Sequence, residues 1–444
     1  MKRVFKYLAY LLIAVFVLLT VGMVAASYMF DKKIQDALSY VNKKQNHIQL
    51  NYVPVSSSIL EKNGRLSVFV PKSKAGPVSA VFDVKTTFNF SSFDVKFVKV
   101  DNEGNLDAIL ADNGLPLIGI TGAAAVSIFE MKAHGAVKTT AFNLPLIDGG
   151  CRVGENSVYL SARSTKKFNV GFASAGIKCK SDLIYSGREA YNLEFLNLKV
   201  KAQPVVVNKK VSLDSISVSF DSLKGQASTI YMIGFKPTDE VKDPTLADSF
   251  DIENFNVNLS LSDKDRHSRR TLYSDGSADI YFAFPFVKDG LEQKYNRIEN
   301  INYKLSFGAF NLEKILSNLK DSPEDLGSLL KSVSNPMSFD LDRLSLKYQG
   351  GEFNVSGFVY PTLDPSTGKI KDISSKMNAS GDIAVIDSII EEQYKEALAD
   401  SLHQGAITKT SKNYETTLEI KGKSVTLNGI ALNADENADD TLDL

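Results

Sequence analysis

The sequence predicts a mainly β protein, built from antiparallel, extended or curved sheets with a few helices, behind a single N-terminal transmembrane helix. Apolar and polar residues alternate over many segments, turn residues separate those segments, and the chain opens on a long run with few charges. Successive residues of a strand point to opposite sides, so strict alternation describes a sheet with one apolar and one polar face. Parallel sheets covered on both faces would show continuous apolar runs instead.

From Tyr7 to Phe30 the chain reads YLAYLLIAVFVLLTVGMVAASYMF, without a charge. At about 1.5 Å per residue a helix of this length reaches roughly 36 Å, enough to cross a hydrocarbon core of about 30 Å. Lys2, Arg3 and Lys6 precede it and hold the N-terminus in the cytoplasm. Val24-Ala25-Ala26 has the small residues of a signal-peptide cleavage site, but the apolar run exceeds a signal h-region of about 7–15 residues. The expectation is an uncleaved anchor in a bacterial inner membrane, with the rest of the chain periplasmic. Next, DKKIQDALSYVNKKQN spaces Ile34, Ala37, Leu38 and Val41 as one helical stripe, a short stalk.

Beyond the stalk the period changes to two. Ile216, Val218 and Phe220 alternate with serines, and Phe255, Val257, Leu259 and Leu261 alternate with Asn256, Asn258 and Ser260. The same rhythm runs through LNLKVKA (196–202), IYFAFPF (280–286), INYKLSF (301–307) and LSLKY (344–348). FKPTDEVKDPTLAD (235–248), SDKDRHSRR (262–270) and YPTLDPSTGK (360–369) carry turn chemistry between them. FDIENFNVNL, FDLDRLSLKY and SLDSISVSF share a flavour that reads either as a degenerate sheet-building repeat or as convergence of β pattern.

Helical spacing returns twice. One segment begins at Phe310, stops, and restarts at Ser322-Pro323 as N-cap and first position. The other, VIDSIIEEQYKEALADSLHQG, presents Ile386, Ile389, Ile390, Ala397 and Leu398 and ends at Gly405 as C-cap. The resulting map is 1–30 cytoplasmic stub and anchor, 31–47 stalk helix, 48–309 large β-rich region, 310–432 helices plus a C-terminal β-hairpin region, and 433–444 acidic disordered tail.

Basic and acidic residues number 51 and 52, so a nucleic-acid partner is not expected. Cys151 and Cys179 form the one cysteine pair. In an oxidising periplasm they read as a disulfide worth about 3–4 kcal/mol, the alternative being two buried thiols. The four histidines are scattered without zinc spacing, and no nucleophile elbow is present. GKS, Gly422 to Ser424, invites a phosphate-loop reading. The glycine required five residues earlier is Thr417, and VTLNG follows as a strand rather than a helix, so Lys421-Gly422-Lys423 is read as a hairpin bend. No cofactor, metal or catalytic residue is expected.

From Glu391 to Leu432 the order is helix, Gln404-Gly405, a strand led by Tyr414, a turn at Gly422, then Leu427-Asn428-Gly429. This resembles the end of the YdgA-like family of bacterial envelope proteins, domain-of-unknown-function family nine-four-five. The resemblance implies a membrane-tethered, β-rich envelope protein and supplies no catalytic residues. In layout the chain also resembles AsmA-like lipid-transfer proteins.

Two functions follow. One is a non-enzymatic envelope protein whose apolar sheet face binds or transfers lipid or another hydrophobic ligand, with Phe255, Val257, Leu259, Phe282, Phe284, Leu305 and Phe307 as its candidate wall. The other is a non-catalytic scaffold whose faces pack against each other; an unrecognised hydrolase stands behind both. The anchor reading predicts that N-terminal sequencing of the purified protein finds the Met1 end intact; a chain beginning near Ser27 would contradict it.

Overall fold

The computed structural model describes residues 32–432 except 33, 37, 44–46, 73–75, 90–91, 128–131, 147–148, 163–167, 182–190, 208–209, 229–246, 263–268, 288–290, 311–332, 365–369, 391 and 423. The expected transmembrane run, the paired helices after Phe310 and the acidic tail lie outside the described residues. Among the described residues no helix is long and apolar enough to cross a membrane. The mainly β, antiparallel architecture is as expected, and the chain divides into two compact units, Met1–Ser212 and Leu213–Leu444.

In the first unit, described residues within 32–43 are helical, with Ile34, Leu38 and Val41 half-buried along one stripe. This helix lies against β1 (Gln49–Ser57). The Asn42 side chain exchanges two 2.8 Å hydrogen bonds with the Leu50 backbone, and Gln35 Nε2 donates to Tyr52 O. An edge strand presents unpaired backbone groups, and the helix satisfies part of that edge. There follow β2 (Glu61–Val70), β3 (Val78–Phe88), β4 (Ser92–Gly104), the short helix α1 (Leu106–Asp112), β5 (Ile120–Ser127) and β6 (Lys132–Thr139). Next come β7 (Phe142–Leu146), β8 (Gly149–Val153), β9 (Asn156–Ala162), β10 (Phe168–Ser181) and β11 (Tyr191–Val207). Consecutive strands pair antiparallel from β1 through β6; then β6 pairs β9, β7 pairs β8, and β10 pairs β9, β8 and β11. β6–β7 and β8–β9 therefore act as the two arms of one long hairpin. Cys151 on β8 stands directly opposite Cys179 on β10, and the two are joined by a disulfide.

The second unit is also a meander: β12 (Lys210–Ser228), β13 (Ala247–Leu261), β14 (Arg270–Val287), β15 (Leu291–Phe310), β16 (Val333–Tyr348), β17 (Gly351–Leu363) and β18 (Ile370–Asp382). Helices α2 (Ile383–Ile389) and α3 (Glu392–Gln404) precede β19 (Thr408–Lys409), β20 (Asn413–Lys421), β21 (Ser424–Leu427) and β22 (Ile430–Ala431). The single helix expected here is two, because Ile390 is extended (ψ 127°). Asp382 Oδ1 caps α2 by accepting from Val385 N, and Gly405 ends α3 in the left-handed region (φ 80°). The break turns Ile389 and Ala397, both placed on the apolar stripe by spacing, out to solvent.

The shared flavour of FDIENFNVNL and FDLDRLSLKY has a structural meaning. Asn254 is left-handed (φ 53°) where β13 shifts register against β14, and Asn300 (φ 52°) does the same in the IENINYK stretch of β15. β16 shifts between Leu341 and Leu344. Each irregularity puts two apolar residues three apart, such as Ile252 with Phe255, onto one face, and bulges bend a strand and raise its twist. Asp279 of β14 serves both Asn bulges, accepting from Asn254 Nδ2 (2.9 Å) and from Asn300 N (2.7 Å). Asn tolerates the left-handed region and β-branched residues do not. Urea denaturation should therefore show Asn254→Val destabilised by about 1–2 kcal/mol, and Asn254→Gly by clearly less; equal losses would contradict the bulge account.

Candidate functional site

Residues directly opposite in a ladder share a sheet face, so the register shows which apolar residues stand together. Phe220 faces Phe255, Val218 faces Val257 and Ile216 faces Leu259. Val257 then meets Gly276 and Tyr303, Leu259 meets Ser274 and Leu305, and Leu261 meets Leu272 and Phe307. The rows continue through Phe339, Leu341 and Leu344 to Val359, Gly357 and Val355, and on to Met377, Leu418 and Leu427. Of the expected wall residues, the structure thus brings Phe255, Val257, Leu259, Leu305 and Phe307 together on one face. Phe282 and Phe284 lie in β14 opposite Asn296 and Lys294, and their side chains fall outside the description.

That face is half-buried, not sealed. None of the five is buried, nor are Ile216, Val218, Leu341, Leu344 or Val355. Among the described residues the buried apolar side chains of the second unit are Val385, Ala406 and Tyr414, all beyond β18. Aromatic rings cover part of the sheet from within. Tyr303 lies over Gly276, where an added Cβ would stand 2.6 Å from its ring. Phe220 and Phe255 stack at 4.5 Å. The first unit repeats the device, with Phe97 over Gly122. There Val137, Val158 and Leu160 leave an exposed apolar stretch across the β6–β9 ladder.

Each unit stops one end of its apolar face with helix. In the first, Lys99 follows Phe93, Val95 and Phe97 along β4 and reaches Asp107 of α1 at 2.6 and 2.7 Å. Both side chains are almost wholly buried, and Asp101, exposed, joins at 3.0 Å. Burial pushes the Asp107 carboxyl up, but Lys99 and the Asn102 N–H outweigh it and leave the group below its ordinary value. Burial likewise pulls Lys99 down, and its two carboxylate partners more than restore it.

In the second unit the plug is the C-terminal region from α2 to β22. Asn428 and Gly429, both left-handed, form the two-residue turn joining Leu427 to Ile430. The Asn428 Oδ1 accepts from Thr417 N (2.8 Å) while its Nδ2 donates to Ala406 O (3.0 Å), tying the chain after α3 to β20. Gly405 and Leu427-Asn428-Gly429 are thus fold-closing residues. The GKS segment is the expected bend, with Lys421 opposite Ser424 and Gly422 left-handed. Beneath α2 and α3 lies a cavity of about 280 Å³ bounded by the sheet.

The roomier hollows lie on the opposite, polar faces. One of about 590 Å³ is lined by Ala123, Ala125 and Ala136 with Asp94, Lys96, His134 and Tyr159. Another of about 500 Å³ is lined by Asp342, Arg343, Asn354, Asn378, Glu415 and Asn428. Alternation alone did not single these out, since it marks polar positions only as solvent-facing. Among the described residues no three His, Cys, Asp or Glu side chains gather as a metal site would require. The chain matches no protein-family model, no curated protein and no solved structure.

The buried pair has a definite pH signature. Asp107 is depressed, so its contribution is present above the ordinary carboxylate range and is lost as pH falls through its folded value; Lys99 is raised, so its contribution persists at neutral pH and fails only in strong base. Asp107→Asn leaves Lys99 buried and should cost about 3 kcal/mol at neutral pH, with the penalty shrinking in acid. Urea titrations at neutral and acidic pH read this; a loss independent of pH would contradict it.

Proposed function

We propose that this protein is an inner-membrane-anchored periplasmic β protein whose apolar sheet face binds, and passes along the cell envelope, a lipid or another hydrophobic ligand. One observation carries the reading. Apolar side chains stand in register across β12–β18, β20 and β21, and those of the described rows from Phe220–Phe255 to Leu418–Leu427 are half-buried. A second sheet packed on them would bury them outright, about 10 Å away and interdigitated. Contiguous half-exposed apolar surface on this scale belongs with a membrane, partner or ligand. The N-terminal run supports a tether that holds such a face beside a bilayer, and the likeness to YdgA-like and AsmA-like envelope proteins agrees with the compartment. The part it would play is non-catalytic.

The ectodomain from Asp31 onward, purified and analysed by lipid extraction and native mass spectrometry, should carry phospholipid or acyl chains. Val257→Asp should lower that occupancy while the far-ultraviolet circular dichroism stays native, because water can reach a half-buried charge. In a closed core the same charge would cost several kcal/mol and unfold the domain. A lipid-free wild type, or an unfolded Val257→Asp, would favour the scaffold.

A further inference from the structure

The cavity beneath α2 and α3 is chemically specific in a way the open face is not. Its walls are Phe353, Val355 and Ala379 from the sheet, Ile386 from α2, Leu398 from α3, and Ile407. Polar side chains of the lining are either occupied or turned away. Tyr414 Oη donates to Asp387 Oδ1 at 3.0 Å, and Thr416 Oγ1 donates to Ala406 O at 2.9 Å. Ser380 and Glu415 are ladder partners whose alternation sets them on the other face from Ala379 and Thr416, so only their backbone borders the space. A guest would therefore find few free side-chain hydrogen bonds. A dry cavity of about 150 Å³ already takes a guest such as benzene; this one, at about 280 Å³, is larger and stands open to the surface on one side.

We infer that this cavity is the end-stop for one aliphatic chain: an acyl tail laid along the face, its terminal methyl seated between Ala379 and Leu398. Continuity supports the assignment. Val355 and Ala379 face each other in the ladder and extend the row from Leu344, so the cavity opens from the same apolar surface. The helical roof is lightly held: α3 buries none of its side chains. It is bounded by the extended Ile390 and the left-handed Gly405, positions where the roof can shift to admit a chain. The inference rests on the proposed ligand class and adds where the tail ends and why chain length matters.

The chain contains no tryptophan, so Leu398→Trp gives a unique reporter. The full protein, purified in a steroid-based detergent with no alkyl chain to compete, is titrated with palmitate brominated either at its methyl end or beside its carboxyl. Methyl-end bromine should quench the reporter and carboxyl-end bromine should not. Adding Ala379→Phe to fill the cavity should weaken palmitate binding about tenfold, the equivalent of two methylenes kept out of an apolar site, while laurate loses less. If Leu398→Trp disturbs the roof by circular dichroism, Leu402→Trp on the same helix is the alternative reporter. Palmitate that binds by calorimetry but quenches equally from both ends, or ignores Ala379→Phe, overturns the end-stop and leaves the ligand-binding face intact. Palmitate that does not bind at all overturns both.

Discussion

The structure depends on one constraint: long antiparallel ladders carry apolar side chains in register on one face, with no described partner layer that seals them. A sheet normally meets this by packing a second layer on itself. Here Phe255, Val257, Leu259, Leu305 and Phe307 remain half-buried in the middle of the second unit. Shifting any strand by one residue would turn its whole apolar set to the polar side. Register is therefore what the sequence must hold, through strands as long as the twenty residues of β15.

Three local devices serve that requirement. Asn254 and Asn300 insert left-handed bulges, bridged by Asp279, that keep Ile252 with Phe255 on one side while bending the strands. Rings laid over glycine, Tyr303 on Gly276 and Phe97 on Gly122, cover backbone on that face. Helices stop the ends: α1 through the buried Lys99–Asp107 pair, and α2–α3 through Asp382, Gly405 and Asn428. Polar chemistry concentrates at the bulges and the plugs and leaves the face between them greasy.

Much of this was legible in the residues. Alternation located the strands and set Phe255, Val257, Leu259, Leu305 and Phe307 on one face, because the side-chain period of a strand is fixed by geometry. The GKS bend was readable because a phosphate loop has a strict spacing that Thr417 breaks, and Gly405 was readable as a helix end. The cysteines suggested a bond, but only the pairing of β8 with β10 sets Cys151 against Cys179. The break at Ile390 left no trace in periodicity, since one extended residue does not change which positions are apolar. Helix α1 and the Lys99–Asp107 pair were equally hidden: a lysine in an alternating strand reads as solvent-facing until the helix that meets it is placed.

If the face is a ligand wall, its side chains should be reachable from water once the ligand is removed. The two native cysteines are joined, so a single introduced thiol can be followed alone. The direct measurement is the maleimide labelling rate of Val257→Cys on the apolar side against Asn258→Cys on the polar side, in folded, delipidated protein. The account predicts rates within about tenfold of each other, because both positions are half-buried, and slowing of Val257→Cys alone when acyl chains are restored. Val257→Cys that stays unreactive in the delipidated native protein, labelling only on unfolding, would show a sealed core and contradict the account.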